Sequence, residues 1–147
     1  MKQSAGIVFI YYDKILLVHP TSSKWFETYS FPKGQLDENE TVLKAAIRET
    51  YEEIGMNIDP TNLSDECHEI LYTKKGKIYK KLYYFVYNVK SLRELDLDDT
   101  VVPKNQLQLS EIDWAGFLDY EEAKKRIHPL MAEVLNHIKK EVKNEKV

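Results

Sequence analysis

Three glutamates, Glu49, Glu52 and Glu53, stand at spacings of three and four residues. On a helix that spacing places their carboxylates on one face, within a few ångströms of each other. Each close like-charge pair costs a few tenths of a kcal/mol on a solvated helix and more where water is excluded. Arg48 reaches Glu52 at i+4 or Glu40 near the helix start, but one guanidinium does not neutralise four carboxylates; a divalent cation does. Hard oxygen donors without histidine or thiolate select Mg²⁺, Mn²⁺ or Ca²⁺ over zinc, and Mg²⁺ keeps waters and recruits phosphate oxygens. His19, His68, His128 and His137 are scattered without ligand spacing, so none is assigned to a metal. An arbitrary E-x-x-E-E is most often a solvated helix face. Its neighbours decide the matter here.

The elements that must carry these residues follow from periodicity. Leu43, Ala46, Ile47 and Ile54 recur at helical spacing over residues 41–54, with Asn39 or Thr41 placed to cap the start and Gly55 to end it in a left-handed turn. Residues 5–12 form an unbroken apolar run, as in a central strand covered on both faces, and a turn at Asp13-Lys14 leads to a second strand over 15–18, with 20–23 breaking regular structure. A second hairpin joins strands over 67–73 and 78–89 through Lys74-Lys75-Gly76-Lys77. A last strand over 113–117 precedes helical segments over 120–127 and 129–140, with Pro129 in a first turn. Strands before, between and after helices predict an α/β domain with a sheet covered on both sides.

Composition narrows the class. A chain of 147 residues, 43% hydrophobic and 12% aromatic, fits one domain that buries roughly two-thirds of its unfolded surface. The predicted core spans 1–140, with 141–147 as a frayed tail. No apolar run approaches the roughly 20 residues of a membrane span, and no secretory pattern opens the chain. A single cysteine, Cys67, read as a half-buried strand residue, fits a reducing cytoplasm. The net charge of −3 does not favour bulk nucleic-acid binding, yet Lys74, Lys75, Lys77, Lys80 and Lys81 crowd one segment. They are placed to reach outer phosphates of a ligand, with Tyr72, Tyr79, Tyr83, Tyr84 or Tyr87 to stack on a base.

The stretch 34–56, GQLDENETVLKAAIRETYEEIGM, resembles the box of the Nudix hydrolases, G-x5-E-x7-R-E-U-x-E-E-x-G-U, with U usually aliphatic. Gly34, Glu40, Arg48, Glu49, Glu52, Glu53, Gly55 and Met56 fall in register. Seven fixed identities at about 7% each have a chance probability on the order of 10⁻⁸ per starting position. Thr50 departs from the pattern, and its methyl is expected to pack toward the core.

The resemblance implies a Nudix-type α/β/α sandwich with a mixed sheet between helices. It implies that Glu49, Glu52, Glu53 and the Gly34 carbonyl hold one to three Mg²⁺ ions, with Mn²⁺ as a substitute, and that these activate a water against a phosphoanhydride. Glu52, Glu53 and Arg48 form the catalytic set, with Arg48 orienting carboxylates. Glu53 is the expected general base and Glu111 the candidate outside the box; Gln106 and Gln108 stand where some relatives carry a glutamate. Lys33 and Lys81 are the expected phosphate contacts.

Phe31-Pro32-Lys33-Gly34, preceded by Trp25 and Tyr29, looks like the entry to the box in asymmetric diadenosine polyphosphate hydrolases and RNA 5′-pyrophosphohydrolases. Expected substrates are therefore a dinucleoside polyphosphate or a 5′-triphosphorylated nucleotide or RNA. A (d)NTP or ADP-ribose pyrophosphatase is the alternative within the family. A silent nucleotide-binding module, or a nucleic-acid binder using the lysine hairpin, are the alternatives outside it. A monomer and a homodimer both remain open.

Overall fold

Residues buried on both faces make the middle strand, β1 (Lys2–Tyr11). Ala5, Ile7 and Phe9 point to one side, Val8 and Ile10 to the other, none more than 2% exposed. The computed structural model describes residues 1–24 and 28–142. β1 runs parallel to β5 (Lys77–Val89) over ten residue pairs and antiparallel to β2 (Lys14–Pro20) and β3 (Lys33–Gln35). With β4 (His68–Lys74) and β6 (Ile112–Asp119) the sheet has the order β4-β5-β1-β2-β6, β3 pairing β1 to the side.

The site depends on where this sheet parts. β1 and β2 are in register at Ile10–Ile15 and Tyr11–Lys14 beside their turn, whereas at Ser4, Ala5 and Gly6 the partner of β1 is β3. Gly6 faces Lys33 and Ala5 faces Gly34. Because neighbours in register share a face and successive residues alternate, Lys33 and Gly34 are delivered to opposite sides of the sheet.

Helix α1 (Val42–Ile54) lies on the Ala5/Ile7/Phe9 side with Met56, Phe85 and Leu97. The Thr41 hydroxyl caps it by accepting from the Lys44 N–H at 3.2 Å, and Gly55 closes it at φ 70°. Its buried stripe is Ala45, Ala46, Thr50 and Ile54. Leu43, expected on that stripe, is 36% exposed, because the small residues, not the large ones, let the helix backbone approach the sheet. Thr50 is fully buried as expected, its hydroxyl donating to the Ala46 carbonyl at 2.8 Å.

On the opposite side α2 (Tyr120–Arg126) and α3 (Ala132–Ile138) cover Val8, Ile10, Phe31, Tyr72 and Tyr84. The expected α/β/α sandwich is therefore present. Residues expected as one helix from 129 are a 3₁₀ turn at Pro129–Met131, α3, and a second 3₁₀ turn at Lys139–Glu141. Of the tail expected to fray from 141, Glu141 accepts from the Asn88 side chain at 3.1 Å and Val142 packs on the core; the remainder, 143–147, lies outside the described residues. Cys67 is exposed and precedes β4, so the half-buried strand position expected for it is not found. No helix among the described residues is long and apolar enough to cross a membrane.

Candidate active site

α1 presents its acidic face to the β3 end of the sheet, and Arg48 organises that face. Its Nε and Nη2 donate to the two oxygens of Glu40 at 2.8 and 2.9 Å, Nη1 donates to Glu49 at 2.9 Å and to Glu52 at 3.1 and 3.2 Å, and Nη2 reaches the Gln35 carbonyl at 3.0 Å. The guanidinium thus binds the loop before the helix to both turns of the acidic run. Donation from Arg48, the largest cause, holds the Glu40 carboxyl at about 2. Asp37, which the spacing argument passed over, lies 3.4 Å from Arg48 Nε, and its N–H donates to Glu40 at 2.8 Å. The acidic run of residues 37–40 was the available signal for it.

Glu53 is set apart from this network. One of its oxygens accepts from the Lys33 N–H at 3.0 Å. Burial pushes its carboxyl up to about 8, helped by the charges of Glu49 and Glu111 and opposed by Lys33. Burial also raises Glu49, against the guanidinium beside it. Arg48 thus holds Glu49 and Glu52, while the Lys33 N–H of β3 holds Glu53. Among the described residues no three Asp, Glu, His or Cys side chains converge at metal-binding spacing in this arrangement.

Two observations bear on whether the residues fit a divalent cation. A methyl built on Gly34 would land on the Glu49 carboxylate, so only glycine lets the β3 backbone lie against that group. The donors at hand are carboxylate and carbonyl oxygens, a hard set suited to Mg²⁺ or Mn²⁺. The chemistry of the donor set fits such an ion.

The segment after α1 closes one flank. Gln106 donates to the Ile54 carbonyl at 3.2 Å and the Gln108 N–H to the Glu53 carbonyl at 2.9 Å, satisfying orphan carbonyls at the helix end. Gln106 and Gln108 are thereby braces for α1. Glu111 is exposed, its carbonyl accepting from the Thr21 N–H at 2.9 Å, and its charge acts on Glu53.

On the far side of β3 the Lys33 side chain lines a cavity of about 270 Å³ with Ser30, Tyr72, Lys80, His128 and Met131. Burial depresses the Lys33 ammonium, with Glu53 and Glu49 opposing, and burial with the charges of Lys33 and Lys2 depresses Lys80. The Tyr72 hydroxyl is buried with no hydrogen-bond partner. Two cations and an orphan hydroxyl around one cavity leave an anion-shaped deficit. Lys81, the expected second phosphate contact, pairs with Gln3 on the α1 side of the sheet, while Lys80 faces the cavity. Alternation along β5 decides between adjacent lysines, which composition could not. Tyr84 and Tyr87 are at most 2% exposed and belong to the core, whereas Tyr79 is 45% exposed. Trp25, expected at the entry to the box, lies outside the described residues.

Comparison with known proteins places these features. An RNA pyrophosphohydrolase of Nitratiruptor is 30% identical over 124 residues, covering 78% of this chain and 76% of that protein. An mRNA-decapping protein of African swine fever virus is 27% identical over 131 residues, covering 85% of this chain and 53% of the viral one. The chain thus spans about half the length of such decapping relatives. A crystal structure of a C. elegans Ap4A hydrolase in a binary complex superposes with a TM-score of 0.67 at 26% identity, covering 95% of this chain and 96% of that one. The family model for the NUDIX domain matches residues 1–138, and the chain belongs to the NUDIX family.

Proposed function

We propose that the protein is a Mg²⁺-dependent pyrophosphohydrolase, one domain acting in the cytoplasm, that opens a phosphoanhydride in the 5′-triphosphate end of RNA. One observation carries this reading: Lys33 joins two halves of one site, its N–H fixing the Glu53 carboxylate and its ammonium lining the cavity shared with Lys80 and the orphan Tyr72 hydroxyl. Acidic oxygens stand on one side of β3 and an anion-poor cavity on the other. A phosphate chain fits across them.

Glu49, Glu52, Glu53 and the Gly34 carbonyl would hold the ion, which supplies charge neutralisation and an acidified water. Arg48 keeps Glu49 and Glu52 oriented. Glu53, held at the β3 end of the site by the Lys33 N–H, would accept the proton of the attacking water in the ionised form that a bound cation favours. Glu111 is the alternative acceptor. Lys33 and Lys80 offset charge on the phosphates and Tyr72 donates its hydroxyl, so that catalysis rests on positioning and electrostatics.

A second reading, asymmetric cleavage of a dinucleoside tetraphosphate, is favoured by the bis(5′-nucleosyl)-tetraphosphatase of C. elegans, 45% identical over 47 residues that cover 31% of this chain and 34% of that one. Incubation with Mg²⁺ and 5′-triphosphorylated RNA, diadenosine tetraphosphate, nucleoside triphosphates or ADP-ribose separates the readings by their products. Monophosphorylated RNA with released phosphate or pyrophosphate is expected. ATP plus AMP from the diadenosine compound, with RNA untouched, favours the second reading. Cleavage of mononucleotides or ADP-ribose alone moves the substrate elsewhere in the family. No product from any of them makes the chain a nucleotide-binding module.

A further inference from the structure

Past Tyr72 and Lys80, which line the cavity, the β4–β5 hairpin carries a surface that the site described above does not use. Lys74, Lys75, Lys77, Lys80 and Lys81 fall within residues 74–81 with no acidic residue between them. Among the described residues none of the five pairs with a carboxylate, while Lys14, Arg48, Lys124 and Arg126 each do. Lys75 and Gly76 both adopt positive φ, 52° and 77°, the twist-matched two-residue turn that stiffens a hairpin tip. The lysines at the tip are thus held outward on a defined ribbon.

A bulge gives this ribbon an aromatic. Tyr72 pairs with Lys80 and Thr73 with Ile78, which leaves Tyr79 as the extra residue of β5. Regular alternation would send Tyr79 to the face opposite Lys80. Instead its ring lies 6.3 Å from that of Tyr72, on which Lys80 also stacks at 5.4 Å. Tyr79 therefore stands exposed beside the cavity that Tyr72 and Lys80 line. Beyond it Lys77, which pairs with Lys74 two residues past Tyr72 on β4, lies roughly 7 Å from Lys80 at about 3.3 Å per residue, with Lys75 in the turn that follows. A phosphate chain whose reactive end lies at Glu53 meets Lys80 first. The lysines past it suit a backbone of further phosphates, and the bulged tyrosine suits a base between them.

We propose that the β4–β5 hairpin is a docking track for the single-stranded body of an RNA, with Lys74, Lys75 and Lys77 on its backbone phosphates and Tyr79 stacked on a base near the cavity mouth. The track rests on the RNA-end reading of the site and gives it a reason to prefer long substrates.

The test separates the two. Fluorescence anisotropy with a 12-nucleotide RNA bearing a 5′-hydroxyl reads docking without any reacting group. The wild-type protein is expected to bind it, more weakly as salt rises. In a Lys74→Ala/Lys75→Ala/Lys77→Ala variant the slope of log affinity against log salt should fall by about 2. Tyr79→Ala should weaken binding about 10-fold. With triphosphorylated substrates, the triple variant should raise KM for the 12-mer about 10-fold or more, leaving kcat and the KM for a triphosphorylated dinucleotide unchanged. Unchanged affinity and salt slope in the triple variant would overturn the track, whatever the enzyme hydrolyses. Hairpin-dependent binding without cleavage of any RNA end would keep the track and remove the RNA-end reading.

Discussion

In the proposed mechanism Glu53 is the residue on which most of the chemistry turns. Replacing Glu52 or Glu53 by Gln keeps shape and removes charge, and turnover at saturating Mg²⁺ should fall by on the order of 10²–10³-fold or more, the scale of losing one electrostatic contact to the reacting centre. Steady-state rates with an unchanged circular dichroism spectrum check this, and near-normal rates in both variants would remove the site. Gly34→Ala should lower both metal affinity and activity, since its methyl would displace the Glu49 carboxylate; calorimetric Mg²⁺ titration reads the first directly. pH gives an independent handle. The Glu53 carboxyl is raised from 4.5 to about 8 in the folded protein, so between those values the native state holds a proton that the unfolded chain has released. Stability of the metal-free protein should then fall as pH rises through that window, by up to a few kcal/mol at about 1.4 kcal/mol per unit. Melting temperatures from pH 5 to 8.5 should show the fall, reduced in Glu53→Gln. A cation favours the ionised form, so added Mg²⁺ should stabilise more at pH 8 than at pH 6. The carboxylates were legible as types at a spacing. Glu40 and Glu52 were legible as partners of Arg48; that it also holds Glu49, and that Glu53 lies under β3, was not, because that depends on the strand that arrives beside the helix.

At the scale of elements, α1 was read nearly to its ends because caps and periodicity are local. Thr41→Ala removes a hydrogen bond to an otherwise unpaired N–H and should cost about 1 kcal/mol. Gly55→Ala should cost about as much or more, since φ is 70° and the new methyl would meet Gln106 at 3.0 Å. Denaturant midpoints with unchanged m-values check both. The second change should also depress activity, because Gln106 and Gln108 brace the helix end that carries Glu53. What local pattern did not disclose are the bulges. One lies between His19 and Pro20 on the β2–β6 ladder and turns Asp113 onto His19 at 2.6 Å; the other turns Tyr79 onto the cavity face. A bulge is a mismatch between two strands distant in sequence, and neither strand records it alone. The broken final helix is likewise tied to residues distant in sequence, with His137 on the Tyr84 hydroxyl and Glu141 on the Asn88 side chain of β5.

At the scale of the whole molecule, the layers were legible because apolar runs and amphipathic stretches alternate along the chain. The parting of β1 from β2 was not, since it arises where β3 takes the place of β2 beside Gly6. That parting delivers Lys33 and Gly34 to opposite faces and so joins an acidic helix to a basic cavity. The claim that rests on it is metal-dependent hydrolysis of a phosphate chain. The most direct measurement strips the protein of metal, adds Mg²⁺ to the wild type and to Glu53→Gln in parallel, and follows the products of 5′-triphosphorylated RNA. Monophosphorylated ends from the wild type only with Mg²⁺, and almost none from the variant, are expected. Equal product from both proteins, or cleavage that persists without any divalent ion, would contradict it.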